Sequence, residues 1–296
     1  MLKQMFFFWL FVLLMHISSA QEKLESILDQ ETAVKDSNMK VEALFKGTRI
    51  INGHSIKSPA PGEFMFLVTH RFGEVKSGWY DFFGLDQANT RIGLDFGVGE
   101  NLSVGIGRSS YQKTYDGFVK ANLFNQKQSD KPPFKLTFLS EFSENTLKNI
   151  FPNAKDDFFN RLSATGQLLA ARKFSPVFTL QLAPTLNHSL YDPLSDKSTT
   201  ILANGFGARY KLTTRISINT EYYLILGENL NTDPINPFAI GINIETGGHV
   251  FQLHFTNTQA PFMKGFLSGP NGQWKDGEFY FGFNITRLFV FNDFFK

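Results

Sequence analysis

The side chains of this chain that could perform chemistry are few and scattered. A serine hydrolase needs a serine, a histidine within hydrogen-bond reach and a third group that orients the histidine. After residue 20 the histidines are His54, His70, His188, His249 and His254, and none has a serine two positions away, the spacing that puts both on one face of a strand. His188 and the serine after it are consecutive, so their side chains point apart in an extended segment. The sequence therefore predicts that the protein is not an enzyme.

Neither a metal nor another cofactor is expected. A metal site would need clustered histidine and carboxylate ligands, whereas His254 stands alone on its strand face. Asp192, Asp196, Asp233 and Asp276 are dispersed in loop-like segments, where aspartate commonly serves turns. The chain has 0 cysteines, which excludes disulfides and thiolate chemistry. Hydrogen bonding to neighbouring groups is the simpler expectation for His254.

A larger set of charged residues shares one property, an alternate position opposite the apolar residues of a strand-like segment. Because buried unpaired charges cost several kcal/mol each, these side chains are expected to pair and fill an interior. The alternative is that they line a selective path, and both signs of charge are present. The set comprises Arg91, Asp95, Lys120, Lys135, Glu141, Arg161, Arg209, Arg215, Glu221 and Glu245, with His254 on the same side.

The elements that hold these residues are strands with one apolar and one polar face. In residues 238–245, phenylalanine and three isoleucines alternate with alanine, glycine, asparagine and glutamate, and Gly247-Gly248 predicts a hairpin turn. The first predicted strand is apolar on both faces, so its facing stays open. The same alternation predicts twelve strands, near 64–72, 90–98, 101–109, 114–124, 134–142, 159–171, 176–187, 199–211, 214–225, 238–245, 249–257 and 277–289.

The connections between these strands alternate between short and long. Apolar outer faces, polar inner faces and short turns at one rim are typical of barrels that stand in lipid. We therefore predict an all-β fold, an antiparallel up-and-down transmembrane β-barrel of about 12 strands over residues 63–296. A soluble periplasmic β protein is a less favoured alternative, because the inner faces are rich in glycine and serine and poor in lysine and glutamate.

The N-terminal part differs from the rest. Lys3, an apolar run over residues 5–15 and small residues before Gln21 predict a secretory signal peptide over residues 1–20. Residues 21–62 are predicted to form a periplasmic segment, with a short helix and a small hairpin at Asn52-Gly53. The net charge of +2 in 296 residues argues against nucleic acid as a partner.

Seven short motifs of the sequence carry a resemblance to a known family. They are Gly47–His54, Thr69–Gly73, Phe83–Ala88, Val104–Arg108, Lys113–Gly117, Phe255–Gln259 and Phe281–Arg287. With these motifs the chain resembles the uncharacterised membrane-bound β-barrel domain proteins typical of Bacteroidetes-type outer membranes. The resemblance covers about residues 43–290 and implies fold and location only, since the family has no established reaction or ligand.

Two functions are compatible with such a barrel in the cell outer membrane, in contact with its lipid. One is the passage or binding of a small solute in the lumen, for which glycines on the inner faces, such as Gly93 and Gly205, would leave room. The other is a structural or partner-binding barrel with a plugged lumen. The long loops could also meet a small solute or a protein partner. The loop 258–276 is apolar enough to favour folding over the barrel mouth.

Overall fold

The structure, a computed structural model, describes residues 39–148, 157–192, 196–226, 235–269 and 271–291. The predicted signal peptide and the predicted short helix lie outside the described residues.

Within the described parts of the chain, no helix is both long and apolar enough to cross a membrane.

Twelve antiparallel strands form a closed barrel, in which each strand pairs with its sequence neighbours and β1 pairs with β12. The predicted twelve-stranded, up-and-down, all-β barrel is therefore confirmed, with strand ends within a few residues of their predicted positions. The strands are β1 (Glu63–Glu74), β2 (Ala88–Gly99), β3 (Leu102–Ser109), β4 (Thr114–Phe124), β5 (Lys135–Asn145), β6 (Leu162–Lys173), β7 (Phe178–Asp192), β8 (Lys197–Lys211), β9 (Ile216–Leu226), β10 (Phe238–Thr246), β11 (His249–Thr256) and β12 (Tyr280–Val290).

The two faces of the barrel wall differ in exposure as the alternation of residue types predicts. On β10, Ile242 is 46% exposed whereas its neighbour Asn243 is 1% exposed. On β2, Ile92 points outward and Arg91 is buried. The outer surface is thus an apolar band and the inner surface is polar, as expected for a barrel in lipid.

The facing of β1, open in the sequence, is decided by its neighbours. Its register pairs Thr69 with Arg91 of β2 and with Asn284 of β12, both of which are buried. Since paired residues of adjacent strands point to the same side of a sheet, Thr69 and Arg71 face the interior and His70 faces outward. On the outside, the barrel closes through stacked rings, with the centroids of Phe64 and Phe289 4.9 Å apart.

Short turns lie mainly at one rim and longer loops at the other. The turn between β10 and β11 uses Gly247 and Gly248 at φ +30° and +93°, backbone angles that suit glycine in a tight hairpin. Both chain ends of the barrel lie at this short-turn rim, which in outer-membrane barrels faces the periplasm. Within their described residues, the loops carry one α-helix, α1 (Met263–Ser268), and 3₁₀ turns at Val75–Ser77, Trp79–Gly84, Tyr111–Lys113, Phe159–Arg161 and Trp274–Asp276.

Candidate functional site

Residues 43–57, which we call the plug segment, lie inside the barrel. Phe45, Ile50, Ile51 and Ile56 are each at most 2% exposed, and His54 is fully buried. Burial of each apolar side chain of this size contributes about 1.5–3 kcal/mol. The sequence predicts these residues within a periplasmic segment, so their position in the lumen is a correction. The physical reason is that their contacts come from residues distant in the sequence.

The plug segment folds locally as the Asn-Gly pair predicts. Arg49 and His54 form an antiparallel bridge, and the amide of Ile50 donates to the carbonyl of Gly53 over 2.9 Å. Gly53 has no room for a side chain, because a Cβ there would lie 2.0 Å from the hydroxyl oxygen of Tyr223. A tight turn without side-chain bulk thus lets the segment approach the barrel wall closely.

Glu221 holds the tip of this turn. Its carboxylate accepts hydrogen bonds from the backbone amides of Ile51 at 3.2 Å, Asn52 at 2.8 Å and Gly53 at 3.1 Å. Glu221 is 3% exposed. A buried carboxylate is stabilised when several amides donate to it, so these three bonds satisfy both the charge of the wall and the amides of the turn.

Further polar contacts fix the plug segment around the circumference of the barrel. Counted with Glu221, they come from nine strands, β1, β2, β4, β5, β7, β8, β9, β11 and β12. Arg71 donates to the side chain of Asn52, Asp95 accepts from Arg49, Lys120 donates to the carbonyls of Ser55 and Lys57, and Glu141 bonds His54. Gln181 donates to the carbonyl of His54, Arg209 to that of Ala43, Gln252 to that of Ile50 and Asn284 to that of Ile51.

Most of the predicted interior charges are buried, and several of them contact residues outside the predicted set. Arg91 makes a two-point ion pair with Asp116 of β4, a residue absent from the predicted set. Asp95 lies 3.5 Å from Arg49 of the plug segment. Asp116 could have been found in the sequence, because the two-residue period of β4 places it on the same face as Lys120.

Glu141 and Lys120 also contact the plug instead of pairing with each other. A carboxylate oxygen of Glu141 lies 2.8 Å from Nε2 of His54, and its other oxygen accepts from the amide of Met263 at 3.1 Å. The ammonium of Lys120 donates to two carbonyls, at 2.9 and 3.1 Å. Glu141 therefore joins the plug segment to the loop that enters from the opposite end.

Glu245 and Arg209 form a pair near the periplasmic mouth, at 3.1 Å, and Lys46 approaches the same carboxylate at 2.7 Å. Arg215, predicted on an inner strand face, lies instead in the exposed turn before β9. Arg161, which the sequence predicts within β6, lies in a 3₁₀ turn before that strand. Both predictions are wrong for the same reason. The residue at which a strand begins depends on its pairing with neighbouring strands, and the alternation of residue types within one strand does not show where that pairing starts.

His254 also departs from expectation. It is 1% exposed, and neither ring nitrogen has a hydrogen-bond partner among the described residues. The hydrogen bonding that the sequence favours for this residue is therefore absent there. Its ring fills space over the backbone of Gly282, where a Cβ would lie 2.6 Å from Nε2.

The inner glycines do not leave an open path beside their strands. A Cβ at Gly93 would meet the guanidinium of Arg91 at 2.7 Å, and one at Gly205 would meet the ring of Tyr223 at 2.6 Å. The glycines therefore accommodate large side chains, Arg91 from the same strand as Gly93 and Tyr223 from the strand next to Gly205. The room that the sequence predicts exists, but side chains occupy it.

The loop between β11 and β12 fills the extracellular end, as its apolar composition predicts. Met263, Phe266 and Leu267 of α1 are each at most 2% exposed and pack with Tyr223 and Ile201 of the wall. The ring centroids of Tyr223 and Phe266 are 5.0 Å apart. The interior is thus filled from both ends.

An exposed ion pair connects the loop between β11 and β12 to the loop between β1 and β2. The Glu278 carboxylate accepts from the amide of Gln273 and from the ammonium of Lys76, each at 3.0 Å. These two donors lower the pKa of Glu278, the amide having the larger effect, and the Glu278 carboxylate raises the pKa of Lys76.

Two cavities lined by described residues lie at the periplasmic mouth, on either side of the entering chain. One has a volume of about 470 Å³ and includes Lys46, Arg215 and Glu245. The other, of about 200 Å³, includes Lys40, Lys57 and Lys135. In the part of the chain that the structure describes, no group of three or more histidine and carboxylate side chains could hold a metal ion.

A closed antiparallel barrel with an apolar outer band and a filled polar interior defines an outer-membrane β-barrel protein. The model of the family described as the membrane bound beta barrel domain (DUF5777) matches residues 45–289, and the chain belongs to this family. The match includes nearly all of the plug segment.

Solved structures with a similar fold include two porins and a channel. The NanC porin is 9% identical, with a TM-score of 0.48, over 76% of this chain and 98% of that chain. The KdgM porin is 7% identical, with a TM-score of 0.46, over 75% and 98%. An outer membrane channel from Pseudomonas putida F1 is 12% identical, with a TM-score of 0.44, over 79% and 97%. No curated protein matches the sequence.

Proposed function

We propose that this protein is a closed outer-membrane barrel, in which the plug segment blocks solute passage in the resting state. The observation that carries the proposal is the set of polar contacts from nine strands to residues 43–57. An opened lumen would leave the Glu221 carboxylate and the Arg71 guanidinium without these partners, and each broken bond to a buried charged group costs about 1.5–3 kcal/mol. The plugged barrel is therefore favoured over steady solute passage.

A plugged barrel acts through its two ends, by binding a partner or a small solute there. Catalysis is not part of the proposal. Among the described residues, the ring of His54 contacts the carboxylate of Glu141 and the ring of His188 contacts the hydroxyl of Thr200, so neither activates a serine.

The direct test is conductance of the purified protein in planar bilayers. We expect no steady current from the wild-type protein. A Gly53→Ala variant should show intermittent current, because its Cβ collides with the buried hydroxyl of Tyr223 and displaces the turn. Gly166→Ala is the matched control, since a Cβ at Gly166 meets nothing within 4 Å. Steady current steps from the wild-type protein would contradict the proposal.

A thiol probe reports the same state without electrodes. The chain has 0 cysteines, so one introduced cysteine is the only reactive thiol. Thr48 is 1% exposed and its hydroxyl has no partner among the described residues, so Thr48→Cys should be tolerated. We expect this thiol to resist a polar maleimide in folded protein, whereas Thr214→Cys in the exposed turn before β9 should react at once. Equal reaction rates would show an open lumen.

A further inference from the structure

The smaller periplasmic cavity has the character of a binding site. It lies between the two ends of the plug segment and the wall formed by the β2–β3 turn, the end of β4 and the start of β5. Its volume of about 200 Å³ is below the roughly 300–1,000 Å³ of sites for drug-sized ligands. The cavity therefore suits a small group.

The charges around this cavity do not cancel. Lys40 is 4.0 Å from Glu100, an ion pair at the rim. Lys57 and Lys135 also line the cavity, and neither ammonium has a partner among the described residues. Glu42 acts on Lys135 electrostatically and offsets one of these two charges. One positive charge thus stays uncompensated within a partly enclosed space.

Amide groups complete the lining. Asn101, Asn122 and Asn125 lie on the wall side of the cavity, and Asn122 donates to the side-chain oxygens of the other two, at 3.3 and 3.0 Å. This arrangement orients the oxygens of Asn101 and Asn125 toward Asn122. It leaves their own amide hydrogens available as donors beside the two lysines.

We propose that this cavity binds a phosphate group, either free phosphate or the headgroup phosphate of a phospholipid in the periplasmic leaflet. Lysine ammonium groups bind phosphate as point charges, and neutral amide donors add directed hydrogen bonds. The cavity lies at the short-turn rim, which is the level of the periplasmic headgroups. The inference goes beyond the closed lumen, because it concerns the periplasmic mouth and not conduction.

The test compares the wild-type protein with a Lys57→Gln/Lys135→Gln double variant in a phosphate-free detergent. Inorganic phosphate is titrated against sodium chloride of equal ionic strength, and binding is followed by calorimetry and by the midpoint of the heat-modifiable gel shift. Loss of two charge-assisted contacts should weaken binding about tenfold or more. Lys131→Gln is the matched control, because Lys131 is exposed at the same rim and does not line the cavity.

A second arm distinguishes the two sources of phosphate. Both proteins are placed in vesicles of phosphatidylglycerol or of an uncharged glycolipid without phosphate. A response of the wild-type protein to inorganic phosphate identifies a site for the free anion, and a response only to phosphatidylglycerol identifies a headgroup site. A charge-conserving Lys57→Arg/Lys135→Arg variant should retain either response. If wild-type protein and the glutamine variant respond equally to both probes, the proposal is wrong.

Discussion

Glu221 is the residue whose replacement tests the plugged lumen most sharply. It is the only wall carboxylate, among the described residues, that accepts three backbone amides of the plug segment. Glu221→Ala removes both acceptor oxygens and with them all three hydrogen bonds, whereas Glu221→Gln keeps one acceptor oxygen. That oxygen can replace the one shared by Ile51 and Gly53, which leaves only the amide of Asn52 unpaired.

The magnitude follows from the number of amides left without a partner. A buried donor that loses its acceptor costs about 1–3 kcal/mol, so Glu221→Gln should cost about 1–3 kcal/mol. Glu221→Ala should cost at least about 3 kcal/mol, because contacts that share one group are not additive. Since 1.4 kcal/mol is a factor of ten, Glu221→Ala should raise the population of displaced plug about a hundredfold or more.

The assay is the maleimide reaction rate of Thr48→Cys in each background. The rate should rise in the order wild type, Glu221→Gln and Glu221→Ala, the last by about a hundredfold. Asn219→Ala is the control, because Asn219 is buried on the same face of β9 and its side chain makes no hydrogen bond to the plug segment within the described residues. If all four proteins react at the same rate, Glu221 does not hold the plug.

Two further predictions concern the outer face and the extracellular loops. Ile242→Arg should reduce the folded fraction in membranes, since an arginine on the lipid face near the midplane costs about 2–4 kcal/mol. Leu212→Arg, in an exposed periplasmic turn, should leave the folded fraction unchanged. If a heat-modifiable gel shift shows the same loss of folded protein for both variants, the assigned facing of β10 is wrong. Because its pKa is lowered, Glu278 should stabilise the loop above its ordinary pKa of 4.5 and lose this effect as pH falls through the lower folded value. Trp274 fluorescence should therefore change on acidification in wild type but not in Glu278→Gln. The same dependence of fluorescence on pH in both proteins would show that Glu278 does not stabilise the loop.

The barrel wall could be predicted because its signal is local. Alternation of apolar and polar residues along β10 and β12 reports which face meets lipid, since successive side chains point to opposite sides of a strand. The Gly247-Gly248 turn is likewise encoded within its own residues. The same alternation places Glu221 and Lys120 on the inner face of the barrel, although it does not show which residues they contact.

Partners inside the lumen could not be predicted in this way. Asp116 and Arg91 are 25 positions apart, and the amides of the plug segment are about 170 positions from Glu221. No spacing rule joins residues so distant, because their proximity depends on the register of every intervening strand. His254 belongs to the same class, since Gly282, over which its ring lies, is on another strand.

The sequence by itself thus determined the number of strands, their antiparallel order and the outward face of most of them, through the two-residue period and the turn residues. It also determined that Asn52-Gly53 makes a tight turn. Only the tertiary structure decided that this turn lies inside the lumen, that β1 directs Arg71 toward it, and that the loop carrying α1 fills the other end. The physical reason is that a closed barrel brings groups from nine strands around one axis, and the hydrogen bonds made there exist only after closure.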